Sequence, residues 1–173
     1  MKTTTDTTLR EVEQAGTNTA SSLPGLVAEH PFLQGMTPEH LAILTECAMF
    51  AEFKKGELIF REGDPANRFY LIRSGHVELE AEVPERDHML IQTIGPGDVL
   101  GWSWMFPPYY WRFDARAATP VKALFFYGTW LREYSEQDHN LGYELMKRMA
   151  EVVIKRLQSA RKYLVELRTE GRV

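Results

Sequence analysis

The residues best suited to chemistry in this chain lie between Gly95 and Pro120. Gly95, Gly97 and Gly101 fall within seven residues, and Trp102, Trp104, Tyr109, Tyr110 and Trp111 crowd into the next ten. Glycines in such a turn permit positive φ and close approach of the backbone. Backbone N–H groups at a glycine turn that leads into a short helix form a cradle for an anion. Gly97, Gly101, Trp102, Ser103 and Trp104 therefore make the candidate ligand site, with Arg112 and Arg116 downstream as its cations. A guanidinium offers a planar fork of donors that matches a phosphate. The competing reading packs the aromatic run into a core and puts each arginine in a rim ion pair.

Other chemistries find little support. The five histidines, at 30, 40, 76, 88 and 139, form no His-x-His or His-x-x-x-His pair. Their spacing therefore predicts no metal set. There is no Gly-x-Ser-x-Gly elbow and no phosphate-binding Walker loop. Cys47 is the one cysteine, which excludes an internal disulfide, and its apolar neighbours predict a buried thiol. The reading is a binding protein rather than an enzyme, with no cofactor.

The elements that must position this loop follow from the rest of the chain. At 173 residues and 44% apolar, it suits one domain with a tail. The formal charge of −4 is uneven: residues 141–173 carry a net of +4, leaving the first 140 at −8. Acidic residues interrupt the basic stretch, so it reads as a solvated helix face rather than a DNA footprint. No apolar leader follows Met1-Lys2 and no window reaches 18 apolar residues, so a cytoplasmic protein with no membrane contact is expected.

Residues 1–24, rich in Thr, Ser and Ala, read as a flexible tail, with at most a helical turn around Leu9–Gln14. Order is expected from Leu26, then a helix capped by Thr37 with Pro38 in its first turn and His40 at the third position. Its stripe is Leu41, Leu44 and Ala48. From Ala51 onward, short runs alternate with period two: Phe53, Leu58 and Phe60; Phe69 and Leu71; Val77 and Leu79; Leu90, Gln92 and Ile94. Turn signals such as Gly63-Asp64-Pro65, Pro84-Glu85-Arg86-Asp87 and Gly95-Pro96-Gly97 separate them. After the aromatic loop, Arg112–Ala118 and Val121–Phe126 make another pair around Thr119-Pro120. Residues 25–140 thus read as flanking helices and an antiparallel β-roll or jelly-roll barrel, mainly β.

Residues 141–173 read as one long helix, with its N-cap at Asp138-His139-Asn140. Its stripe, Met146, Ala150, Val153, Leu157, Ala160, Leu164 and Leu167, advances by 4, 3, 4, 3, 4 and 3 residues. That spacing predicts pairing with a second copy as a homodimer; the alternative is a helix lying on its own barrel.

The run from Phe60 to Val77, with Gly63 and Gly75, closely resembles the barrel signature of the cyclic nucleotide-binding domain family. Gly95-Pro96-Gly97-Asp98-Val99-Leu100-Gly101 is similar to the start of that family's phosphate-binding cassette. The resemblance covers residues 25–165 and implies a cyclic nucleotide (cyclic AMP or cyclic GMP) or another small anion as ligand. In the family a Gly-Glu pair opens the cassette, the Glu taking the ribose hydroxyl. An Arg about ten residues further on pairs with the cyclic phosphate. Here Gly101 keeps the glycine, but Trp102 stands at the Glu position, and an indole N–H only donates. Trp111 stands where the Arg is expected, so Arg112 is the first choice for phosphate and Arg116, in Arg116-Ala117-Ala118-Thr119, the second. Arg156-Leu157-Gln158 aligns with the activator type of the family and brings Ala160 and Arg161 to the base-contacting positions.

Only a few residues follow the long helix, so no helix-turn-helix is expected after it. The reading is a stand-alone sensor with no direct DNA binding, signalling through its C-terminal helix to a separate output partner. A ligand-free interaction scaffold, its pocket filled by Trp102, Trp104 and Trp111, is the reading left open beside it.

Overall fold

The computed structural model describes residues 22–82 and 88–169. Most of the expected tail and the turn at Pro84-Glu85-Arg86-Asp87 lie outside the described residues. Helix α1 (Leu23–Glu29) begins three residues before Leu26, because Ser22 caps it by accepting from the Gly25 N–H at 3.4 Å. A single 3-10 turn, Pro31–Leu33, leads to α2 (Pro38–Cys47). Thr37 Oγ1 accepts from the His40 N–H at 3.3 Å with Pro38 in the first turn, the cap its sequence calls for. Ala48 lies outside this helix. It opens β1 (Ala48–Phe53), where it pairs with Phe126.

Seven more strands follow: β2 (Leu58–Phe60), β3 (Arg68–Ser74), β4 (Val77–Ala81), β5 (Met89–Ile94), β6 (Val99–Leu100), β7 (Asp114–Ala117) and β8 (Val121–Tyr127). They form two antiparallel four-stranded sheets, in the orders β1-β8-β3-β6 and β2-β7-β4-β5. Strand β7 is shorter than the expected Arg112–Ala118. Upstream of it, Trp111 is bonded instead to the Gly63-Asp64 turn, giving its N–H to Asp64 O at 2.9 Å and accepting from the Gly63 N–H at 3.0 Å. Helices α3 (Gly128–Gln137) and α4 (His139–Thr169) complete the chain. Among the described residues no helix is long and apolar enough to cross a membrane.

Strand β3 is buried on both faces. Phe69 and Leu71 join Leu124, Phe126 and the helices in one core, while Tyr70 and Ile72 join Val77, Leu79, Ala115 and Trp111 in a second core between the sheets. This is the period-two rule with large, mainly apolar side chains at four successive positions, Phe69 to Ile72, of a central strand. Cys47 is buried in the helical core, and burial pushes its thiol up.

Helix α4 starts where Asp138 Oδ1 accepts from the N–H groups of Asn140 (3.0 Å) and Leu141 (3.1 Å). The backbone donor of Leu141 leads the causes that hold the Asp138 carboxyl below its ordinary range. The face of α4 that docks on the domain is Leu141, Leu145 and Met149, with Val152 and Arg156 continuing it. Most of the heptad stripe read from the sequence lies off that buried face, with Val153, Leu157 and Ala160 bordering the same cavity as Arg156. Met146, Leu157 and Leu164 of the stripe are exposed, the last two at 68% and 63%. The helix is therefore apolar along two faces, of which one is buried in the core.

Buried His30 bridges the layers. Its Nδ1 accepts from the Phe32 N–H at 3.3 Å, and its Nε2 lies 3.2 Å from the Ile72 carbonyl, so the neutral Nε2–H tautomer satisfies both. Burial lowers its pKa below the usual histidine value. A group with a depressed folded pKa contributes fully above its unfolded value, and its contribution is lost as pH falls below that value. The thermal midpoint of the protein is therefore expected to drop between about pH 7 and pH 5. A His30→Asn variant, which keeps an acceptor for Phe32, should show a smaller drop over the same range. Equal drops would remove His30 as the cause.

Candidate functional site

The turn after β5 is built by Asp98, whose Oδ2 accepts from the Gly95 N–H at 2.9 Å, and by Gly97, whose N–H donates to Ile72 O at 2.9 Å. Strand β6 then carries the chain to Gly101, at φ 88°. A Cβ there would lie 2.7 and 2.9 Å from ring atoms of Trp111, so only glycine fits under that indole. Next comes one 3-10 turn, Ser103–Met105, with Trp102 as its N-cap residue.

The expected site residues part company here. Trp104 is fully buried and stacks on Phe69 (5.1 Å between centroids, 14° between planes) in the helical core. Trp111 is buried in the other core, stacked on Phe60 at 3.8 Å and 11°. Trp102 remains half-buried between the two and lines a cavity. Ser103 Oγ is buried and has no hydrogen-bond partner among the described residues. Arg112 is exposed, with no hydrogen bond or ion pair there. Arg116 lies on the outward face of β7, its Nε 3.3 Å from Glu80 Oε2 and its Nη1 giving a 3.1 Å bond to Gly56 O. Arg161 is exposed on α4.

The cavity has a volume of about 370 Å³, at the small end of ligand pockets. Leu79, Ile91 and Gln92 of β4 and β5, Trp102 and Phe113 wall one side. Val153, Arg156, Leu157, Ala160 and Tyr163 of α4 wall the other. Its surface is mainly apolar and aromatic, which suits a flat ring. Arg156 is the cation that lines it.

The Arg156 guanidinium gives Nη2 to the Val99 carbonyl and lies 5.9 Å from the Phe113 ring centroid. Its Nη1 is buried without a partner among the described residues. Burial lowers its pKa to about 10, with Asp98 acting the other way, so the group stays charged at neutral pH. A buried cation lacking a carboxylate contact carries an unmet desolvation cost, which an anion in the cavity would offset. Arg156 also borders a second cavity of about 170 Å³, shared with Gly97, Asp98, Arg148 and Lys155. The sequence holds one signal for this residue: a charge at the end of the stripe Leu141, Leu145, Met149, Val152. Tracing the other stripe hides it.

Residues 50–138 match the model of the cyclic nucleotide-binding domain. The chain belongs to that family. A CRP-like cAMP-activated global transcriptional regulator of Mycobacterium tuberculosis is 28% identical to this cyclic nucleotide-binding domain over 142 residues, 82% of this chain and 62% of that protein. The chain thus spans about 62% of the length of that curated relative. A crystal structure from Geobacter metallireducens, named as a cyclic nucleotide-binding protein, is 30% identical with a TM-score of 0.70, covering 78% of this chain and 97% of its own. The regulatory subunit of a cAMP-independent protein kinase A from Trypanosoma brucei, solved as a mutant with cAMP bound, shares the fold. It matches at 20% identity and a TM-score of 0.64, over 92% of this chain and 55% of that one. The two four-stranded sheets and the long last helix are this family's jelly-roll architecture.

Proposed function

We propose that this cyclic nucleotide-binding domain is a regulatory sensor for a cyclic nucleotide or a related small aromatic anion, held between β4–β5 and α4. The observation that carries the reading is the buried Arg156 guanidinium, with Nη1 unpartnered, beside an apolar cavity. In this reading Arg156 takes the anionic group, and Trp102, Phe113 and Tyr163 take the ring. Arg112 and Arg116, the choices made by spacing, point to solvent and to Glu80.

Because Val153, Arg156 and Leu157 belong to α4, ligand contact acts on the same helix whose second apolar face pairs two copies. Ligand then shifts the helix between two arrangements by its differential affinity for them. In this reading the signal passes onward through this helix.

A second reading rests on Trp111, which fills the space over Gly101 where the family resemblance puts the phosphate. It makes the domain a ligand-free scaffold. Calorimetric titration of cyclic AMP and cyclic GMP into the protein separates the two. The sensor reading expects binding in the micromolar range (about −8 kcal/mol), weakened at least tenfold by Arg156→Gln and unchanged by Arg112→Ala. Absence of binding at about millimolar ligand would establish the scaffold reading against these ligands. Retained affinity in Arg156→Gln would remove Arg156 from the site.

A further inference from the structure

We propose that Glu80, His88 and Asp114 form a binding site for a divalent cation of the zinc class on the outer face of the second sheet. No pattern along the chain announces it, because the three residues come from two strands and a hairpin. The β4–β7 register sets Glu80 directly opposite Asp114, and the β4–β5 hairpin returns His88 just ahead of Met89. One ligand atom from each of the three lies within 4.8 Å of the others. His88 Nδ1 is already 3.7 Å from Asp114 Oδ2.

Both carboxylates are held from behind. Asp114 Oδ1 accepts from the Glu62 N–H at 2.7 Å, and Glu80 Oε2 accepts from Arg116 Nε at 3.3 Å. One oxygen of each is left over, and outer-sphere donors of this kind are what orient carboxylate ligands at metal sites. Both side chains are only 14% exposed. Two like charges directly opposite on neighbouring strands repel, and Arg116 neutralises one of them. A cation between the carboxylates would remove the remaining repulsion.

The donor set selects the metal. One imidazole and two carboxylate oxygens suit zinc and its borderline neighbours, whereas magnesium and calcium favour oxygen alone. Bonds of about 2.1 Å in a tetrahedron put ligand atoms roughly 3.4 Å apart. The three ligand atoms already lie within 4.8 Å of one another, and His88, whose side chain is 47% exposed, has room to rotate toward the carboxylates. A bound ion would fasten the end of the β4–β5 hairpin to β7. None of the three residues lines the cavity bordered by Arg156, so the site stands apart from the ligand reading.

The test is titration of Zn²⁺ into chelator-treated, dialysed full-length protein, followed by calorimetry and thermal unfolding, with Co²⁺ absorption as a report on geometry. One ion per chain is expected, with a rise in thermal midpoint of about 5–10 °C at a hundredfold excess over Kd. His88→Ala and Asp114→Asn should each weaken binding at least tenfold, and His139→Ala should leave it unchanged. Excess Mg²⁺ should not compete. His88→Ala removes a partly exposed ring outside any strand, so it keeps the test valid should the carboxylate variant fold poorly. Failure of the protein to bind Zn²⁺, or equal affinity in His88→Ala, would overturn the site.

Discussion

Truncating Trp104 to alanine is expected to cost the fold about 4 kcal/mol and to lower its thermal midpoint by on the order of 10 °C. The indole is fully buried and stacks on Phe69, whose ring in turn stacks on Phe126 at 4.8 Å. Helix α3 begins against it. A Cβ added to Gly128 would lie 2.9 Å from Trp104 side-chain atoms, and the Trp104 carbonyl accepts from Arg132. The void left by truncation is thus bounded by a strand, the cassette turn and a helix start, none of which can close over it without breaking another contact. Denaturant unfolding measures the cost. A value under about 1 kcal/mol would show that Trp104 is dispensable to the core.

Charging the outer stripe of α4 should have the opposite profile. A Leu157→Lys, Leu164→Lys double variant is expected to keep its fold, since both side chains are exposed, and to lose self-association. Light scattering should report twice the 20.0 kDa chain mass for the parent protein and a single chain for the variant. The reason is that apolar heptad positions facing a second copy tolerate no pair of buried ammonium groups. Leu145→Lys, on the docked face, should instead unfold the protein. A parent that runs as a monomer, or a variant that still dimerises, would end the pairing proposal.

What could be read from the residues was local. Thr37-Pro38 and Asp138 announce helix starts because the capping bond lies within three residues of the cap. Ser74-Gly75 announces a turn as well, and Gly75 there takes φ 82°. That a Cβ would lie 2.1 Å from the Pro120 carbonyl oxygen is visible only in the fold. Alternation in β4 followed the pleat, the expected run at Phe69 and Leu71 proved buried on both faces, and an antiparallel roll with flanking helices came out of the strand spacing.

The site was harder, because which way a side chain points after a single 3-10 turn depends on the layers beneath it. Trp102 and Trp104 have the same chemistry and are two residues apart, yet one lines the cavity and the other fills a core. Arg156 was masked by an apolar helix with two usable faces, and heptad counting selects the face that is not buried in the core. The convergence of Glu80, His88 and Asp114 depends on strand register, which no spacing along the chain records.

Strand β3 separates two apolar compartments, and that arrangement bears on how the helices can move. Leu71 and Ile72 are chain neighbours that answer to different surroundings, one under the helices and one between the sheets. A shift of α3 and α4 is felt first in the compartment on their side, and it reaches the other through Trp102, which packs against both, and through Arg156, 5.9 Å from the Phe113 ring centroid. The helical layer and the space between the sheets are thus joined at those two side chains and kept apart along the rest of the strand.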